Sequence, residues 1–427
     1  MLNVDISNIW CAVALPNLLE SEQEVAGAHA ALTDRRNTPF LPWLDGDPAS
    51  LPELERVGRA AERIRAAGQA LVVVGGGDEV LGVRAALELL RGERHNLRDP
   101  LAVFFTGGSF STAAWQELTE LLETRDFCVA VLSRGGSSPQ EAVALRSLRW
   151  MLERRYGTEK ARERVFIVTD PAEGALRALS VAEGYEAFNL PASAGGRASA
   201  LTPALLLPLA AAGLDVRALL AGAAGAKTAL NVRSFENPAW LYAAGRNILA
   251  RKGRRAEYLC LAEPSAASFG RWWQRQFAGR ECADGLGLLP VTAEIPADLP
   301  ELHALLADGQ QSLLATVLRF AGPAQKIPVE MDWRDIDGYN FLEGFTLDYL
   351  DEQASQAFVQ TGNDGGVPLI TLDCGPIGEA AAGELLYFFE LSACLSAGMT
   401  GRDPWDPAPR DAWAEQTLRL LGRPGAQ

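Results

Sequence analysis

Val129–Glu141, VAVLSRGGSSPQE, is the stretch whose reading decides the fold. An apolar, β-branched run breaks into a glycine- and serine-rich turn and resumes as a helix opening on Pro139. Ala70–Gly82, ALVVVGGGDEVLG, repeats the design. Strand, glycine-rich turn and helix together let a parallel sheet present backbone N–H groups and a helix N-terminus to an anion, usually a phosphate. Two such turns, about 60 residues apart, predict one crevice for a phosphorylated small molecule.

Working outward, apolar strand patterns alternate with helical ones. Helices are expected at Glu53–Ala67, Val80–Leu90, Thr112–Glu123, Pro139–Tyr156 and Glu173–Glu183, and strands at Leu71–Val74, Leu101–Thr106, Phe127–Leu132 and Val165–Thr169. That alternation is the signature of a doubly wound α/β domain. The second half repeats it: helices at Pro238–Lys252, Ser265–Phe277 and Glu301–Ala307, the last continued by Leu313–Phe320, and strands at Glu257–Ala262, Leu286–Thr292 and Val367–Leu372. Helices at Ile377–Ser396 and Trp413–Leu421 close the chain. The expected organisation is a lead-in over 1–44, a first α/β domain over 45–190 and a second over 191–427.

Composition narrows the function. A chain of 427 residues, 48% hydrophobic, can bury a core divided between two or three domains. A formal charge of −15 argues against nucleic acid, which needs a basic stripe to release counterions. Any phosphate is then held by local groups against an unfavourable overall field. Cysteines at 11, 128, 260, 282, 374 and 394 form no CxxC, and Cys128 and Cys260 sit in apolar runs as expected buried thiols. A reducing, cytoplasmic setting fits that usage. Three histidines argue against a histidine-rich metal site. The first residues, with Asp5 and Pro16 among them and no basic lead, do not read as a signal peptide. No run reaches 18 apolar residues, so no membrane is expected.

Several stretches resemble bacterial glucose-6-phosphate isomerases over about Trp43 to Pro424. Gly75–Ala85 is similar to the family's first glycine loop, and Ser133–Glu141 to its SKSGTTTEP loop. Gly195–Pro208, GGRASALTPALLLP, follows GGRFSVLTPVGLLP closely. Asn237–Leu249, the Trp272–Trp273 pair, Asn363–Pro368 and Leu420–Gly425 match in the same order. The resemblance implies two sugar-isomerase (SIS) type domains, each a parallel sheet between helices, a homodimer, no cofactor, and aldose–ketose isomerisation through a cis-enediol. That chemistry needs a carboxylate between C1 and C2, cationic help for the enediolate, and groups for ring opening.

The residues implied for catalysis are not present. Aligned without a gap, the base position is Gly279, the serine after it Arg280 and the nearby lysine Ala283; the ring-opening histidine position is Pro300, and a C-terminal basic position is Ala414. Glu281 and His303 are the neighbours that would have to substitute, while the bland reading leaves Glu281 solvated and His303 on an amphipathic helix face. At the first loop, beside Gly75 and Gly77, stand Asp78 and Glu79. They cap the helix they begin, and would repel a phosphate dianion. The second loop keeps Ser133, Gly136, Ser137 and Ser138, with Arg134 as a cation. It reads either as an anion site or as a structural turn. Arg197, retained from the family, either meets substrate or pairs with Asp78 or Glu79, and the tryptophan pair reads as helix packing or as a sugar platform. Three functions compete: a family member without ordinary isomerase activity that binds a sugar phosphate or other small anion as a regulatory dimer, an active isomerase using relocated Glu281 and His303 or an enzyme for a substrate lacking a 6-phosphate, and a structural dimer whose crevice is closed by salt bridges.

Overall fold

The computed structural model describes residues 2–33, 50–136, 138–190, 199–281, 287–307, 312–405 and 412–423. Its strands are β1 (Asn3–Asp5), β2 (Ala70–Val74), β3 (Ala102–Thr106), β4 (Phe127–Leu132), β5 (Val165–Thr169), β6 (Glu186–Asn189), β7 (Ala256–Leu261), β8 (Leu289–Glu294), β9 (Leu313–Ala321) and β10 (Leu369–Pro376). The chain divides into two compact units. One combines Met1–Ala31 with Gly222–Pro404, the other Leu32–Ala221 with Trp405–Gln427.

The unit containing Leu32–Ala221 has a five-stranded sheet in the order β3-β2-β4-β5-β6. Every pairing in it is parallel. Strands β2 and β4 are buried at every position, as expected for strands covered on both faces by helices. Their side chains meet Leu145, Leu148 and Leu152 of the helix Pro139–Tyr156 in one core. The order reverses between β2 and β4, since β3 lies to one side of β2 and β5 to the far side of β4. The carboxyl ends of these two strands therefore flank the switch point, where open α/β sheets bind ligands. The Gly75 and Ser133 loops begin there.

The other unit has the sheet β1-β10-β9-β7-β8, parallel except for the antiparallel edge strand β1. Its core packs Cys260, Val317 and Leu369 against Leu302 and Phe358. The helix Glu379–Met399 is long and apolar enough to cross a membrane, but 83% of its most apolar window is buried inside the fold as a core helix.

Two expectations change. Leu313–Phe320 is strand β9, paired to both β10 and β7, and not a continuation of the preceding helix. A strand buried on both faces is a continuous apolar run, which periodicity cannot separate from a buried helix segment. The domain division also differs. Within the expected lead-in, Val4 pairs with Leu372, and Leu15–Thr33 forms a helix. The boundary falls inside the helix Val216–Ala229, later than residue 190.

Candidate functional site

The glycine loops owe their sequence to close packing. A Cβ on Gly75 would lie 2.7 Å from the Leu132 carbonyl oxygen of β4, so only glycine lets the adjacent strand ends approach. Gly136 has φ +65°, and a Cβ there would meet Leu176 Cγ at 2.5 Å. Gly77 opens the helix Asp78–Arg91 in extended conformation. Glu79 is buried and folds back so that its Oε2 fills the space a Gly77 Cβ would need. With Asp78 and Glu79 in its first turn, this helix N-terminus already has acidic company.

The second loop is closed largely by its own bonds. Gly136 N–H donates to Ser133 Oγ at 3.2 Å, and Ser138 Oγ donates to Gln140 Oε1 at 2.9 Å. Ser138 is the N-cap of Pro139–Tyr156, accepting from the Glu141 N–H at 3.5 Å. The Arg134 carbonyl accepts from Asp170 N–H and Thr169 Oγ1, while its side chain is exposed. The N–H of Ala172 holds the Asp170 carboxyl below the usual carboxylate range, helped by the N–H of Glu173 and by Arg134.

Glu141 joins the two loops. Its Oε1 accepts the Gly76 N–H at 3.0 Å, so a backbone donor of the first loop already faces a carboxylate. Burial pushes the Glu141 carboxyl above its ordinary range, offset in part by hydrogen bonds from Ser133 and the Gly76 N–H. No role for Glu141 is foreseen from sequence. Its signal is Ser138-x-x-Glu141, the spacing of a capping box, except that the glutamate crosses to a neighbouring loop. Ser137 and Arg197 lie outside the described residues.

In the other unit, Glu281 ends the helix Ala267–Glu281 and is 3% exposed. Arg246 donates to it twice, Nη1 to Oε1 at 2.6 Å and Nη2 to Oε2 at 3.2 Å. Arg246 Nε donates to Glu257 of β7, whose Oε1 also accepts from Tyr242 at 2.7 Å and Thr316 at 2.6 Å. Ser396 Oγ accepts from Arg246 and from Asn247. The guanidinium lies 4.0 Å from the Phe277 ring centroid. Asn237 caps the helix Pro238–Arg251, which places Tyr242 and Arg246 four residues apart on one buried face. Burial alone would depress the Arg246 pKa, but Glu257 and Glu281 carry it above its ordinary value.

This geometry corrects the expectation of a solvated Glu281. The carboxylate is spent on Arg246, because a buried charge must be paired. Gly279, two residues earlier, is exposed. Trp272 and Trp273 are fully buried helix packing, not a sugar platform. Pro300 and His303 belong to the helix Leu299–Ala307, and Ala414 to the helix Ala412–Leu420. The side chains of His303 and Ala414 lie outside the described residues. Cys128 and Cys260 are buried, as their apolar runs imply, and burial raises both thiols. Among the described residues, no three His, Cys, Asp or Glu side chains converge as metal ligands.

Parallel sheets with glycine-serine loops at a switch point place the chain among SIS-type phosphosugar isomerase folds. A glucose-6-phosphate isomerase of Chlamydia trachomatis superposes with TM-score 0.80 at 16% identity, covering 99% of this chain and 88% of that one. A hypothetical protein of Thermus thermophilus superposes with TM-score 0.83 at 24% identity, covering 99% and 100%. No family model matches the chain. The glucose-6-phosphate isomerase of Bacillus cytotoxicus is 36% identical over 430 residues, 99% of this chain and 96% of its own. That of Bacillus cereus is 36% identical over 398 residues, 90% and 87%. The chain belongs to the glucose-6-phosphate isomerase family.

Proposed function

We propose that this chain is a family member whose glucose 6-phosphate to fructose 6-phosphate isomerase activity is absent or very weak. It acts in the cytoplasm as a homodimer, needs no cofactor, and binds a sugar phosphate or another small anion at the Gly75 and Ser133 loops. The observation that carries the reading is Glu281. Glu281, the carboxylate two residues along the chain from the base position Gly279, is buried and held at two points by Arg246. A general base must reach the proton it takes with a free lone pair. For Glu281 to do so, a buried bidentate ion pair would have to break first.

The relocated-base reading requires that rupture, so the inactive reading is preferred. The loop bonds weigh in the same direction for tight phosphate binding. The Gly76 N–H serves Glu141, the Ser133 hydroxyl oxygen accepts the Gly136 N–H, and the Ser138 hydroxyl serves Gln140. Arg134 is exposed, and a guanidinium suits an anion.

The test is conversion of fructose 6-phosphate by micromolar protein purified from a host lacking its own isomerase. Turnover far below about 1 s⁻¹, the low end of ordinary enzymes, is expected. Turnover at or above that, abolished by Glu281→Gln, would overturn the reading. Calorimetric titration with fructose 6-phosphate separately tests the anion site.

A further inference from the structure

Helices Thr112–Glu123 and Pro139–Tyr156 cover one face of the β3-β2-β4-β5-β6 sheet, sending Leu118, Leu122, Leu145, Leu148 and Leu152 into its core. Their outward sides border a groove of about 820 Å³, lined among others by Trp115, Thr119, Arg146, Ser147, Trp150 and Arg154. Small-molecule sites run to about 300–1,000 Å³. Arg146, Trp150 and Arg154 follow one another at four-residue spacing, so they form a single ridge with about 6 Å between neighbours. Trp150 is 57% exposed, and the Arg154 guanidinium lies 4.4 Å from its ring centroid. That cation holds part of the indole in place and leaves the rest of the ring to a ligand.

The two cations of the ridge are uncommitted. Among the described residues, neither Arg146 nor Arg154 pairs with a carboxylate, whereas Arg149 on the same helix pairs with Glu153 and Glu183. Arg155 is different again, since it donates to the backbone carbonyls of Leu122, Glu123 and Arg125. In a chain of net charge −15, arginines on one ridge without acidic partners make a local field that draws an anion.

Ring and cation together select the ligand. A bare phosphate makes no use of Trp150, and an uncharged ring none of Arg146. A nucleoside phosphate carries both parts, a flat base to stack on an indole and a phosphate to meet a guanidinium one helical turn away. Charge sets the direction. Glu123 lines the end of the groove nearest Arg155 and repels a phosphate there, so the phosphate belongs at the Arg146 end. The Ser147 and Thr119 hydroxyls line the groove beside it, as donors or acceptors for the sugar. The overall negative charge disfavours a polynucleotide and leaves the free nucleotide.

We propose that this groove binds a free nucleoside phosphate, with the base stacked on Trp150 and the phosphate held by Arg146. The site goes beyond the sugar-phosphate reading above and does not rest on it, because the groove lies on the outward helix faces and not at the Gly75 and Ser133 loops.

Calorimetric titration of the full chain with ADP, GDP and UDP tests it, with inorganic pyrophosphate as the ligand that has the phosphates and no base. At least one nucleotide is expected to bind with Kd below about 1 mM. Pyrophosphate is expected to bind at least about fivefold more weakly, the least that loss of a stacked base costs. Trp150→Ala is expected to weaken the nucleotide by about 5- to 150-fold, and Arg146→Ser by about tenfold or more. Both side chains are exposed, so the circular dichroism of each variant should match wild type. Excess fructose 6-phosphate is expected to leave nucleotide binding unchanged. Failure of all three nucleotides to bind below about 1 mM, pyrophosphate binding as tightly as they do, or full affinity in either variant would overturn the proposal. Displacement by fructose 6-phosphate together with full affinity in Trp150→Ala would put the nucleotide at the Gly75 and Ser133 loops, overturning this site while supporting the anion reading above.

Discussion

Replacing Arg246 with methionine tests whether the buried cluster is structural. The substitution keeps side-chain length but removes the cation shared by Glu257 and Glu281, both at most 3% exposed. Breaking a buried ion pair from one side costs about 3–5 kcal/mol. Glu257 retains the Tyr242 and Thr316 hydroxyls, so most of the cost falls on Glu281. The expected deficit is therefore about 3–5 kcal/mol at pH 7. Urea unfolding of wild type and variant, followed by tryptophan fluorescence, measures the difference; Trp240, Trp272 and Trp273 are buried in the same unit. A deficit below about 1 kcal/mol would refute the reasoning.

Other outcomes follow from single contacts. Gly222→Ala drives a methyl into the Ala380 carbonyl oxygen, so an overpacking cost of about 1–3 kcal/mol should exceed the ~1 kcal/mol helix gain and lower the melting temperature. Trp240 Nε1–H donates to His29 Nδ1 at 2.9 Å, and burial first, then Arg233, lower the His29 pKa. That contribution is complete above about pH 6.5 and is lost as pH falls toward the depressed folded value, so wild type should lose stability faster than His29→Gln between about pH 7 and 5 in thermal melts. Glu141 has the opposite sign. Its folded pKa is raised, so the wild type should lose ground to Glu141→Gln as pH climbs above about 4.3, a trend that chemical denaturation across about pH 4–8 would reveal.

The fold is legible in the sequence because its signals are local. The runs at β2 and β4, the glycines that let strand ends touch, and Pro139 after the Ser138 cap all act within a few residues of themselves. Helices Thr112–Glu123 and Pro139–Tyr156 and strands β4 and β5 stand at the bounds read from sequence. Strand β9 reads wrongly as helix because its neighbours β7 and β10, not its periodicity, make it a strand. Strand β1 escapes a sequence reading because three residues carry no pattern until β10 pairs with them.

The site divides in the same way. Sequence by itself determined the family and the two glycine turns, and set Gly279 where the resemblance implies the base, because these depend on residue identity and order. Only the tertiary structure decided that Glu281 is a buried partner of Arg246, 35 residues away, and that Glu141 reaches the Gly76 amide across 65. A carboxylate looks the same in sequence whether it is solvated, catalytic or structural. What distinguishes these roles is the charge and the water around it, which distant parts of the chain supply only once they have packed.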